Sequence, residues 1–166
     1  MAITVTDQVA YGNVCDVAII ENPGQCEVRF AASTHGGPES LWFCFRIDCS
    51  GAADDCHTLI VTLKHLRSML GCPADRPMAP VMRVNGGEWT RMPPVIPTSW
   101  SDGRLTISWE VPLPTKTIDV AFCYPYGPEE LDQLLEDTDS YWSKTVIGIS
   151  QGDRPIIRLS NDHVMS

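Results

Sequence analysis

Apolar and polar residues alternate with period two along most of this chain, and this limits the possible fold more than anything else in it. Side chains on a strand point to opposite faces in turn, so such alternation marks a half-buried strand. Cys26, Val28 and Phe30 alternate with Glu27 and Arg29, and Leu41, Phe43, Phe45 and Ile47 with Trp42, Cys44, Arg46 and Asp48. Leu59, Val61 and Leu63 alternate with Ile60, Thr62 and Lys64. Leu105, Ile107, Trp109 and Val111 alternate with Thr106, Ser108 and Glu110. Ile118, Val120, Phe122 and Tyr124 alternate with Asp119, Ala121 and Cys123, and residues 15–20 form a further apolar strand.

Turn chemistry separates these runs. Asn22-Pro23-Gly24 is a tight connection, and Asn85-Gly86-Gly87 between Val81–Val84 and Glu88–Met92 is a hairpin signal. Ser101-Asp102-Gly103 leads into the 105–111 strand. The thirteen prolines, several of them in 93–97 and 112–114, suit loops and strand ends. Leu66, Met69 and Leu70 have helical spacing, which predicts a short helical turn within 64–72. The expected fold is all-β in the main: an antiparallel β-sandwich, one short acidic helix near the C-terminus, and a terminal β-hairpin.

The helix signal follows Tyr126. Pro128 stands in the first turn, where its missing N–H costs nothing, and Leu131, Leu134 and Leu135 share a face. Glu129, Glu130 and Asp132 suit the helix N-terminus, whereas Glu136, Asp137 and Asp139 oppose the C-terminal dipole and stop the helix near 137. Its acidic face is read as solvated, with docking to a basic surface as the alternative. Lys144–Ser150 and Pro155–Ser160 then read as two strands joined by Gln151-Gly152-Asp153-Arg154. An isolated hairpin is marginal in water. The expected division is a sandwich domain at 1–138 and a linker with hairpin at 139–166.

Net charge is −9, which repels nucleic-acid phosphates and anionic membranes and favours a basic partner surface. No run reaches the ~18–20 apolar residues of a membrane helix. Met1–Ala10 has no Lys or Arg and does not read as a signal peptide. The seven cysteines, an odd number, are read as buried thiols of a cytoplasmic protein.

Reactive constellations are hard to find. His35-Gly36-Gly37-Pro38-Glu39 places a His and a Glu close together, but in a Gly/Pro loop without a third ligand, so His35 is read as a surface histidine. Cys44, Cys49, Cys56 and His57 have no Cys-x-x-Cys knuckle. His65 and His163 complete the four histidines. Gly148-Ile149-Ser150-Gln151-Gly152 joins two expected strands and so is not a strand-to-helix nucleophile elbow, and a phosphate loop is absent. We therefore assign no catalytic and no metal-binding residue. Trp42, Trp89, Trp100, Trp109 and Trp142 are read as core and inter-sheet packing rather than as a glycan platform.

Several segments, in order, resemble the N-terminal domain of cytosolic carboxypeptidases, zinc metallopeptidases that trim C-terminal residues, often glutamates. Leu41-Trp42-Phe43-Cys44-Phe45-Arg46-Ile47 resembles the family's Trp-Phe-x-Phe-Arg strand, and Thr58–Leu63 the apolar strand after it. Pro80-Val81-Met82 with Trp89-Thr90-Arg91 is similar to its Pro-Val…Trp-x-Arg hairpin. Ala121-Phe122-Cys123-Tyr124-Pro125-Tyr126 resembles its Ala-x-Cys-Tyr-Pro-Tyr signature. Residues 147–156 resemble the Gly-x-Ser-x-x-Gly-Arg-x-Ile opening of the catalytic domain, with Asp153 inserted before Arg154.

The resemblance implies a scaffold. The family's N-terminal sandwich is fused to an α/β catalytic domain whose His-x-x-Glu pair, later His and downstream Glu have no match here. Zinc would sit in that domain, and the partners implied are that domain and a peptide or protein substrate. Tyr124, Pro125, Tyr126, Leu131 and Arg154 would then face the catalytic domain, and the terminal hairpin on its own would self-associate. The other readings are a free-standing module binding a protein or glycan, marked by exposed clustered Trp rings, and a complete small enzyme.

Overall fold

The computed structural model describes residues 3–52, 56–69, 75–100, 102–113, 116–138 and 141–161. Leu70, Cys72 and His163 lie outside them. The chain divides into two compact units, Met1–Pro125 and Tyr126–Ser166.

In the first unit β2 (Cys15–Asn22), β3 (Gln25–Ala31), β5 (Thr58–Leu63), β9 (Leu105–Pro112) and β8 (Thr98–Ser99) form one sheet, with β2 and β8 at the edges. The other sheet runs β1 (Thr4–Thr6), β4 (Cys44–Asp48), β10 (Thr117–Ala121), β6 (Val81–Val84) and β7 (Trp89–Arg91). All named pairs in both sheets are antiparallel except β3 with β5. The chain leaves β3, crosses to the other sheet as β4 and returns as β5. Two reversals restore the original direction, so the neighbours run parallel.

The alternation reading holds for the core. Val28 and Phe30, Phe43, Phe45 and Ile47, Leu59, Val61 and Leu63, Ile107, Trp109 and Val111, and Ile118 and Val120 are all buried in one cluster. Phe30 of the first sheet meets Phe43 and Phe45 on the other at ring-centroid distances of 5.0 and 4.5 Å. Each buried aliphatic or aromatic side chain contributes about 1.5–3 kcal/mol. Turn chemistry holds as well. Gly24 takes φ +78° between the paired Asn22 and Gln25, and Asn85 and Gly86 take φ +51° and +72° between β6 and β7. The helical turn is a single 3₁₀ turn, Leu66–Ser68, with Leu66 buried.

Three core expectations are corrected. Leu41 is 54% exposed, because β4 begins only at Cys44. Tyr124 is 49% exposed, because β10 ends at Ala121 and the chain turns away. Of the five tryptophans only Trp109 is core; Trp89, Trp100 and Trp142 are half-buried and Trp42 is exposed. Trp109 alone stands on the inward row of a central strand.

In the second unit helix α1 spans Pro128–Asp137, and the Gly127 N–H donates to Glu130 Oε2 at 2.9 Å. That carboxylate satisfies a donor left open at the helix start. β11 (Ser143–Ile149) pairs antiparallel with β12 (Pro155–Ser160). Asp132 on α1 pairs with Lys144 on β11. Val146 faces Ile157 and Gly148 faces Ile156, so Ile147 is a bulge residue. In the turn, the Asp153 N–H donates to Ser150 O at 3.0 Å and Asp153 takes the left-handed conformation, φ +54°.

Candidate functional site

The most elaborated surface of the first unit is the outer face of the β1–β4–β10–β6–β7 sheet. Residues alternate out of the core, so β4 presents Cys44 and Arg46 outward, β10 presents Asp119 and Ala121, and β6 presents Val81 and Arg83. Register then joins three charges. Asp119 stands directly opposite Arg46 on one neighbour and Arg83 on the other. Arg46 Nε donates to Asp119 Oδ1 at 2.6 Å, and its second nitrogen to Oδ2 at 3.0 Å. Arg83 donates twice to Oδ2, at 2.9 and 2.7 Å. Asp119 is only 3% exposed. Burial by itself raises its carboxyl pKa, but the hydrogen bonds from Arg46 and Arg83 outweigh burial and hold it below the ordinary value. The group therefore stays ionised and fixes both guanidinium planes.

Aromatic rings extend the row. The Arg83 guanidinium lies 4.8 Å from the Trp89 ring centre, and that of Arg91 lies 5.2 Å from Tyr124. Arg91 also donates to Ala79 O at 2.7 Å. Cys44, Val81 and Ala121 form a small apolar cluster beneath, covered by Val9, Tyr11 and Trp89. Burial, followed by the Asp119 charge, pushes the Cys44 thiol up to about 11, so it is protonated and inert near neutral pH. The covering strap is held by Asn13, which is buried and donates from Nδ2 to Trp42 O at 2.7 Å and Ser33 O at 3.2 Å. Asn13 Oδ1 accepts from the Ser33 N–H at 3.1 Å. The face thus combines three guanidiniums, one neutralised by Asp119, with two aromatic rings. It is a basic, aromatic surface on an acidic chain.

Of the sequence-chosen interface residues, Tyr124 and Pro125 belong to the first unit, and Tyr124 sits on this face against Arg91. Tyr126, Leu131 and Arg154 belong to the second unit. Tyr126 is 60% exposed, Leu131 is half-buried on α1, and the exposed Arg154 donates its N–H to Ser150 Oγ at the hairpin turn. Sequence reasoning missed Asp119, Arg83 and Arg46 as a unit. The signal was present only as charges at outward positions of separate strands.

The residues weighed as metal ligands are dispersed. His35 stacks on Trp42 at 5.6 Å, beside a shallow cleft of about 380 Å³ that Glu39 also lines. Cys44 faces outward in the small cluster, whereas Cys49 and Cys56 lie in the inter-sheet core. Among the described residues, no group of three or more His, Cys, Asp and Glu side chains could hold a metal ion. The tryptophans likewise have separate partners: Trp42 has His35, Trp89 has Arg83, and Trp100 has Arg29 and Arg104.

Solved structures share this fold. A metallo-carboxypeptidase from Burkholderia cenocepacia matches with a TM-score of 0.67 at 19% identity, over 95% of this chain and 39% of its own. A metallo-carboxypeptidase from Pseudomonas aeruginosa, in complex with (2-guanidinoethylmercapto)succinic acid, matches with a TM-score of 0.68 at 19% identity, over 94% of this chain and 39% of its own. The chain therefore spans about 39% of the length of these structures. No protein-family model and no curated protein matches the sequence. The likeness is one of fold, to a part of larger enzymes, and the described residues here do not fit a metal centre. Among them, no helix is long and apolar enough to cross a membrane.

Proposed function

We propose that this chain is an accessory N-terminal β-sandwich domain of a zinc metallocarboxypeptidase, supporting the catalytic domain and substrate access without being catalytic by itself. One observation carries the reading: nearly the whole chain, 95%, superimposes on only 39% of a metallo-carboxypeptidase. The domains are the sandwich at 1–138 and the start of the catalytic domain at 139–166. Zinc and the reacting groups belong to the remainder of that catalytic domain. The resemblance of the Trp-Phe and Tyr-Pro-Tyr segments supports a cytoplasmic enzyme of the glutamate-trimming type, acting on peptide or protein C-termini.

Two features of the surface fit this role. Val146, Ile147, Ile149 and Ile156 on the two-stranded β11–β12 sheet are exposed, as strands are when further strands normally cover them. The Arg91–Tyr124 pair and its neighbours fit an acidic, carboxylate-bearing partner surface or substrate. Tyr124, Pro125, Tyr126, Leu131 and Arg154 are the proposed contacts with the catalytic domain.

The decisive observation is the coding sequence after Ser166. A His-x-x-Glu motif within a few tens of codons supports the reading, and its absence over a continuing open frame overturns it. The purified chain should bind no stoichiometric zinc and release no C-terminal amino acid. Gel filtration should show self-association that disappears when residues 140–166 are removed. A monomer with strongly protected amides in 144–160 argues for a self-sufficient unit instead.

A further inference from the structure

We infer that Cys26 and Cys56 form a reversible disulfide pair: oxidised glutathione closes a bond between them inside the sandwich, and dithiothreitol reopens it. Their sulfurs lie 2.7 Å apart. Ordinary non-bonded carbon contacts are about 3.5–4.0 Å, and a disulfide bond is about 2.03–2.05 Å. Closing the bond therefore moves the sulfurs by roughly 0.7 Å. Both side chains are buried, at 2% and 6% exposure, in the same core cluster.

The fold explains why two distant cysteines meet here. Cys26 is the second residue of β3, and Cys56 precedes β5, the parallel neighbour of β3. The His57 N–H donates to Gly24 O at 3.1 Å and ties the two strands at this end. The residues are 30 apart in sequence, and the chain between them crosses to the other sheet and back. A bond here closes that loop and pins the parallel pair, which has no hairpin of its own.

The exchange balances. The Cys56 thiolate attacks one sulfur of oxidised glutathione, forming a mixed disulfide and releasing one glutathione thiolate, which takes up a proton. The Cys26 thiolate then attacks the Cys56 sulfur, the internal bond forms, and the second glutathione leaves. Two cysteine thiols are oxidised and one glutathione disulfide is reduced. Burial pushes the Cys26 thiol up to about 12, which disfavours its thiolate near neutral pH. Cys49 is the nearby competitor; it is buried in the same cluster and pushed up to about 11, mainly by burial.

The test uses the full chain, refolded in a glutathione redox buffer so that burial does not block access. Remaining thiols are then alkylated and the peptides mapped. The expected result is a Cys26–Cys56 cross-link, with all other cysteines alkylated. The bond should raise Tm by about 7–15 °C over the same protein in dithiothreitol. Cys49→Ala should keep both the link and the shift, and Cys56→Ala should lose both. Alkylation of Cys26 and Cys56 after refolding, or a link from either to a different cysteine, overturns the inference. So does a dithiothreitol-sensitive Tm that survives in Cys56→Ala. If Cys56→Ala does not fold, the wild-type map and its dithiothreitol response still decide.

Discussion

Replacing Asp119 with Ala should markedly destabilise the first unit. The carboxylate accepts four N–H contacts from Arg46 and Arg83 and is 3% exposed, so no water replaces it readily. Hydrogen bonds to charged groups contribute about 1.5–3 kcal/mol each. That sum overstates the loss, because the two arginine side chains are 39% and 33% exposed and regain water. Removing one partner of a buried ion pair costs about 3–5 kcal/mol, and the exposed guanidiniums place this site near the lower end, about 3–4 kcal/mol. In a chain of this size the loss lowers Tm by roughly 10 °C.

The effect has a pH signature. Burial raises the Asp119 pKa but the arginines lower it by more, so its folded value lies below the unfolded one. A depressed carboxylate stabilises the fold fully above its unfolded pKa of about 3.9 and loses that stabilisation as pH falls through the folded value. Urea denaturation followed by tryptophan fluorescence at pH 7, and again at or below about pH 3, measures both. The wild type and Asp119→Ala should differ by about 3–4 kcal/mol at neutral pH, and the gap should narrow in acid. A neutral-pH difference under about 1 kcal/mol, or an unchanged gap in acid, would refute a charge-paired carboxylate and leave only a packing role.

Other expectations concern the strap and the hairpin. Gly12→Ala places a Cβ 1.7 Å from the Asp7 carbonyl oxygen, a backbone atom that cannot rotate away. The strap should detach at a cost of about 3 kcal/mol or more, and a melting curve within about 2 °C of wild type rules out that crowding. Asp153→Gly removes a left-handed strain at φ +54° and should stabilise the hairpin by about 0.5–1 kcal/mol. Slower hydrogen exchange at the Ser150 amide, which donates to Arg154 O, reports it; faster exchange contradicts it. Ile147→Glu puts a charge on the bulge of β11 and should shift self-association toward monomer in sedimentation. An unchanged distribution would move the contact elsewhere.

Period-two alternation placed Phe45 and Ile47 on the core side of β4, and Ile118 and Val120 on that of β10, because a strand turns successive side chains to opposite faces wherever it goes. Turns at Pro23-Gly24 and Asn85-Gly86 and the start of α1 at Pro128 were equally legible, since each rests on the conformational limits of a few adjacent residues. Strand neighbours were not. The parallel β3–β5 pair, the Arg46–Asp119–Arg83 register and the meeting of Cys26 with Cys56 each join residues 30 or more positions apart. Alternation says which way a side chain points but not which strand lies beside it. That choice is made by the packing of two whole sheets around one core, and it created the charged face and the thiol pair.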